Sequence, residues 1–137
     1  MTKINFVTSF NETIYKDVGH HLFNSIKNNW EPSINFTAYH HDFDPKNYDI
    51  KNVKLKSLED VEEYRDFLKV NQEHNGTENN TIPYNWHLDV LRWSHKVFAL
   101  TEKAFELAEE SKDAGWLIWV DADSLASKRL VVNDILG

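Results

Sequence analysis

Trp116-Leu117-Ile118-Trp119-Val120 runs straight into Asp121-Ala122-Asp123. Five consecutive apolar residues between Gly115 and an aspartate predict a central strand, buried on both faces. Ligands of open α/β sheets bind beyond the carboxyl ends of the strands, and the two aspartates fall there. Separated by one small residue, they can aim both carboxylates into one crevice. Two anionic oxygen groups so placed suit a hard divalent cation whose shell is completed by phosphate oxygens. Aspartate at a strand end also serves ordinary turns. The buried run in front of the pair is what favours a site.

Upstream, Ile4-Asn5-Phe6-Val7-Thr8-Ser9-Phe10 is β-branched and aromatic and reads as a strand. Ile14, Val18, Leu22 and Ile26 then recur every four residues, with Phe23 and Trp30 beside them, and Pro32 ends that helix. Ile34 to His40 alternates as a second strand. Strand, helix and strand make a βαβ unit with parallel strands and a right-handed crossover. Residues 44–56 carry no firm signal. A helix is expected over 57–69, capped by Ser57, and a polar loop over 71–85.

The longest helix is expected over 86–112. Val90, Trp93, Val97, Leu100, Ala104 and Leu107 step by three and four, and Leu91, Phe98 and Phe105 widen the face. Such a face is expected to lie under a sheet, with Glu102, Glu106, Glu109 and Glu110 on the far side. Gly115 reads as the helix breaker. Trp86, Trp93, Trp116 and Trp119 read as core. The order β-α-β-α-α-β predicts one α/β domain over 1–137, with a mostly parallel sheet flanked by helices.

Composition narrows the function. No cysteine is present, so disulfides and thiolate metal sites are excluded. A net charge of −7 argues against a nucleic-acid partner. No apolar run is long enough to span a membrane, and the N-terminus lacks a signal-peptide pattern, so a cytoplasmic protein is expected. His20-His21 and His40-His41 are adjacent pairs whose side chains diverge, and His87 and His95 are two helical turns apart. No histidine metal site is expected. Arg92, Lys96 and Lys103 fall within about 40° of one another on a helix. The first two suit donor phosphates or an ordinary role at the sheet edge, and Lys103 reads as surface.

The segment from Trp116 to Ser124 resembles the hydrophobic strand and DxD motif of GT-A-fold nucleotide-sugar glycosyltransferases. The sequence order upstream agrees with that family across nearly the whole chain: Thr8-Ser9-Phe10-Asn11 after the first strand, His41-Asp42 after the second, and Arg92 to Phe98 in the helix before the motif. The resemblance implies a Rossmann-like fold of the nucleotide-diphospho-sugar transferase type. It implies that Asp123 ligates Mn²⁺ or Mg²⁺ bridging the donor diphosphate, and that Asp121 contacts the ribose or the metal. Thr8, Ser9 and Asp42 would meet the nucleoside, and Arg92 and Lys96 the phosphates.

Only 14 residues, 124–137, follow Asp123. In the family the acceptor half and the base of inverting members follow the motif. The chain is therefore expected to be a donor-binding half, truncated after the DxD strand, with no named acceptor and no transfer activity of its own. Its shortened sheet leaves an edge open to self-association. The alternatives are a non-enzymatic α/β interaction domain and, further off, a haloacid-dehalogenase-type phosphatase. That last family carries its Asp-x-Asp on the first strand with Thr or Val two residues on, where this chain has Leu125.

Overall fold

The alternation of Ile4-Asn5-Phe6-Val7 equips one strand to bury side chains on both sides. Ile4, Phe6 and Phe10 pack on one face and Val7 on the other. In this computed structural model, which describes residues 3–78, 80–112 and 115–137, that strand is β1 (Ile4–Phe10). It pairs in parallel with β2 (Asn35–His40) on one side and β4 (Trp116–Trp119) on the other. Outermost, β3 (Lys54–Ser57) pairs in parallel with β2. The result is a four-stranded, all-parallel sheet in the order β3-β2-β1-β4, flanked by helices. This is an α/β fold compatible with a Rossmann-like one.

From β1 to β2 the chain runs through α1 (Glu12–Ile14), a π-helical stretch Tyr15–Gly19 and α2 (His20–Asn29), which supplies Leu22, Phe23 and Ile26 to the core under one face. From β3 to β4 it runs through α3 (Glu62–Val70) and α4 (Val90–Glu110) over the other face, where Tyr64 and Ala99 pack on Val7 and Tyr39. The short α5 (Val132–Leu136) returns to the first face, with Val132 in its core. The strands advance from β1 through β2 to β3 on one side, and β4 then comes back to the other side of β1. The order reverses between β1 and β4, and a crevice opens there.

Four expectations are corrected. β4, read from its apolar run as a central strand buried on both faces, lies at an edge of the described sheet, with Trp116 exposed and Leu117, Ile118 and Trp119 half-buried, because β1 takes the centre between it and β2. The other three follow. First, the silent stretch 44–56 leads into β3, and Ser57, the last residue of that strand, stands at the N-cap of a 3₁₀ turn, Leu58–Asp60, without a side-chain capping bond; α3 begins only after that turn, at Glu62. Its periodicity is faint because only Leu55 is apolar. Lysines hold the strand instead: Lys54 Nζ and Lys56 Nζ lie 2.7 and 3.1 Å from the Glu106 carboxylate on α4. Second, Gly115 opens β4 rather than closing α4. It has φ +84°, and a Cβ there would stand 2.0 Å from the Lys3 carbonyl oxygen.

Third, α4 is turned over. Val90, Trp93 and Val97 face solvent, and Ser94, Ala99, Lys103 and Leu107 are buried. Small Ser94 and Ala99 let the helix approach its neighbours closely. Lys103, expected at the surface, is only 5% exposed, with Nζ 3.4 Å from Glu106. Burial works against ionising Glu106, yet hydrogen bonds from Lys54 and Lys56 and the charge of Lys103 hold its carboxyl down to about 2. Trp86, Trp93 and Trp116 are exposed as well, and of the four tryptophans read as core only Trp119 is half-buried.

Two substitutions check this account. Glu106→Ala leaves the buried Lys103 ammonium without its carboxylate and is expected to cost about 3 kcal/mol, read from the urea midpoint; an unchanged midpoint would contradict the pairing. Gly115→Ala drives a Cβ into the backbone of residue 3, and the melting temperature is expected to fall by about 10 °C.

Candidate functional site at the switch point of the sheet

Beyond β4, the backbone N–H of Val120 still donates to the Val7 carbonyl at 3.0 Å, keeping the chain alongside β1. Ala122 is then buried in the core on the α2 face, and the Ser124 N–H donates to the Asp121 carbonyl at 3.0 Å, closing a turn. With the small residue pinned inward, the flanking Asp121 and Asp123 are left exposed. Both line one cleft of about 560 Å³. The Trp119 indole N–H donates to Asp121 Oδ1 at 2.5 Å and fixes that carboxylate.

The other walls come from β1, α4 and the helical run after β1. Ser9 contributes from β1, and Arg92, Trp93, His95 and Lys96 from the first turns of α4. The Asp89 side chain caps α4 by accepting from the Arg92 N–H at 2.9 Å. Lys96 Nζ lies 5.0 Å from the centre of the Trp119 ring, within reach of a cation–π contact. Ile14 lines the cleft from the end of α1, and Asp17 and Val18 line it from the π-helical stretch; such widened turns recur at functional sites. The cleft thus faces two cations with three carboxylates.

Its innermost groups are two imidazoles. The rings of His41 and His95 stack with centroids 3.6 Å apart and planes inclined by 31°. His41 is 4% exposed, and its buried Nδ1 has no hydrogen-bond partner; the nearest carboxylate oxygen, Asp42 Oδ2, stands 3.6 Å away. Burial lowers the pKa of His41, opposed by the charge of Asp42. Burial, with the neighbouring His41, lowers that of His95 to about 4. Both rings are therefore neutral at pH 7.

Of the residues singled out in the sequence, Ser9, Arg92, Lys96, Asp121 and Asp123 come together in this cleft. Thr8 and Asp42 are not among the side chains lining it. Thr8 is fully buried, its hydroxyl without a partner, because the pleat turns it away from Ser9. Asp42 stands in solvent, with its N–H donating to Glu59 Oε1 at 2.7 Å. Asp17, His41, His95 and Trp119 are lining residues that sequence reading did not assign. Only the adjacency of His41 to Asp42, and of His95 to Arg92 and Lys96, could have drawn attention to the histidines.

Among the described residues, no group of three or more His, Asp or Glu side chains is arranged to hold a metal ion. Two carboxylates in one open cleft still fit Mg²⁺ or Mn²⁺ of the kind that takes one or two protein carboxylates and completes its shell with substrate phosphate and water. A further cleft of about 440 Å³, lined by Lys3, Asn5, Lys54 and Lys103, lies at the amino end of the sheet, away from the end where α/β sheets bind ligands. No protein family, curated protein or solved structure matches the chain.

The imidazole stack makes stability depend on pH. His95 titrates near 4 when folded and near its ordinary 6.5 when unfolded. The unfolded chain takes up the proton first, so stability present above pH 6.5 is lost as the pH falls from 6.5 towards 4. Urea midpoints across this range are expected to drop, with His95 accounting for about 2–3 kcal/mol. His95→Gln is expected to flatten the slope, and an equally steep fall in that variant would contradict the assignment.

Proposed function

We propose that the cleft between the carboxyl ends of β1 and β4 binds a nucleotide-diphospho-sugar together with Mn²⁺ or Mg²⁺. On this reading the chain is a nucleotide-sugar glycosyltransferase or its donor-binding portion, and its fold is the transferase type of the Rossmann-like class. The supporting observation is the convergence of Asp121 and Asp123 with Arg92 and Lys96 in one cleft at the switch point of a parallel sheet.

The chemistry needs each of these groups. A diphosphate brought to a chain of net charge −7 requires neutralisation. The Arg92 guanidinium presents a fork of donors that matches phosphate oxygens, and Lys96 adds a point charge one turn further along α4. Asp121 and Asp123 would hold the cation, which when bound acts as a Lewis acid on the departing nucleoside diphosphate. Ser9 and the neutral imidazoles of His41 and His95 offer uncharged hydrogen-bonding groups for the nucleoside. A neutral ring nitrogen there can accept a hydrogen bond without competing with the cation for the phosphates. Transfer further requires an acceptor hydroxyl held in line with the anomeric carbon and, for inversion, a base beside it. No residue is assigned either role.

Calorimetric titration with UDP and GDP, with Mn²⁺ and then with EDTA, tests the proposal. Binding is expected only with the metal and is expected to weaken at least about tenfold, some 1.4 kcal/mol, in Asp123→Ala and in Arg92→Ala. Equal affinity in EDTA, or full affinity in Asp123→Ala, contradicts it.

A further inference from the structure

Trp119 meets both kinds of charge in the cleft. Its indole N–H donates to Asp121 Oδ1 at 2.5 Å, and Lys96 Nζ lies over its ring, 5.0 Å from the centre. The two contacts use different parts of one side chain. An aromatic ring carries negative potential on its faces and positive potential at its edge. The face therefore attracts the ammonium, and the N–H at the edge binds the carboxylate. A rigid plane cannot bring its face and its edge to one point. The ammonium and the carboxylate are held at different places on it.

The local structure sets the indole there. Trp119 ends β4 in register with Val7 and packs against the cluster that holds Val7, Tyr39 and Ala99, on the face covered by α4. Residues two apart on an extended chain project to the same side, which brings Asp121 within reach of the ring edge. Lys96 descends from α4 onto the ring itself.

The charges of the cleft stay apart. Among the described residues, no ion pair joins Arg92 or Lys96 to Asp17, Asp121 or Asp123, although all five line the cleft. An ammonium on a flexible four-carbon stem readily finds an exposed carboxylate. A carboxylate so paired must give up its partner before it can ligate a cation, and the ammonium has less charge to offer a phosphate.

We propose that Trp119 is a positioning residue that keeps Lys96 and Asp121 apart, so that the carboxylate stays free for Mn²⁺ or Mg²⁺ and the ammonium for a phosphate. The inference rests on the donor reading for what the two charges serve. Tryptophan suits the task because its indole donates, cannot accept and carries no charge. It orients Asp121 without neutralising it. Phenylalanine keeps the face and loses the donor, and arginine would orient the carboxylate and cancel its charge.

Mn²⁺ binding to the chain without nucleotide, read from the electron paramagnetic resonance signal of the free ion, tests the proposal. The parent is expected to bind. Trp119→Phe releases Asp121 to swing onto Lys96, and Mn²⁺ affinity is expected to fall at least about fivefold, the scale of one charge-assisted hydrogen bond. Lys96→Met removes the competing ammonium. Its gain in Mn²⁺ affinity is expected to be at least about threefold larger in the Trp119→Phe background than in the parent. A side chain that served packing alone would show no such rescue, because Lys96→Met refills no cavity.

A second measurement leaves Trp119 in place. Asp121→Asn is expected to move one of the five tryptophan indole N–H proton resonances upfield in the metal-free chain, and Mn²⁺ is expected to broaden that same resonance first in the parent. Equal Mn²⁺ affinity in the parent and Trp119→Phe overturns the proposal. So do a loss that Lys96→Met does not rescue, indole resonances indifferent to Asp121→Asn, and a parent that takes up no Mn²⁺. The two readings fail separately. A chain that binds Mn²⁺ through Trp119 and Asp121 yet takes up neither UDP nor GDP contradicts the donor reading alone. Metal-dependent nucleotide binding with a Mn²⁺ affinity that Trp119→Phe leaves intact contradicts only the role of Trp119.

Discussion

The parallel pairing of β4 with β1 is the constraint on which the rest of the molecule depends. Its register sets Trp119 against Val7, while β1 continues to Phe10. β4 therefore stops short, and its chain turns while β1 still runs beside it. That stagger sets Asp121 near the level of Ser9 and leaves the crevice open. The pairing begins at a tight approach: the Trp116 N–H donates to the Lys3 carbonyl at 2.9 Å, immediately after a glycine whose positive φ and missing Cβ let the backbones meet. Were β4 on the far side of β3, the strand order would run one way and no switch point would exist.

α4 carries the consequences of that topology on its two sides. Its first turns point Arg92, His95 and Lys96 into the crevice. Further along, Lys103 is buried beneath it and Glu106 gathers three lysines, tying the helix to an outer strand that has little apolar surface of its own. A buried lysine is costly unless paired, so this network fixes the rotation of α4 about its axis. The same rotation leaves the apolar stripe facing solvent and brings His95 against His41. The cleft, the imidazole stack and the uncovered face of α4 are three results of one orientation.

Much of the candidate site was legible because its signals are local. Asp121 and Asp123 flank one alanine at the end of an apolar run, and Arg92 and Lys96 share a helix turn. The rest was hidden for definite reasons. Thr8 and Ser9 are neighbours whose side chains the pleat sends to opposite faces, and a strand with apolar residues on both faces does not reveal which parity faces a ligand. His41 and His95 belong to different elements, and only the packing of α4 across the end of β2 stacks their rings. Asp17 enters through a π-helical stretch that a 3.6-residue period does not reveal.

The sequence by itself determined the parallel α/β class, the inner strands and the position of the paired aspartates, because periodicity, apolar runs and breakers are properties of neighbouring residues. It also determined that α4 is amphipathic. Which face of α4 meets the sheet was decided only in the tertiary structure. An apolar stripe lowers its free energy against any apolar partner, and periodicity cannot distinguish the sheet from another protein. Close packing at Ser94 and Ala99, together with the charge network around Glu106, selected the other side. β3 was likewise decided in three dimensions: its lysines become strand-forming only when a carboxylate from α4 stands above them, a distance of roughly fifty residues that no local pattern spans.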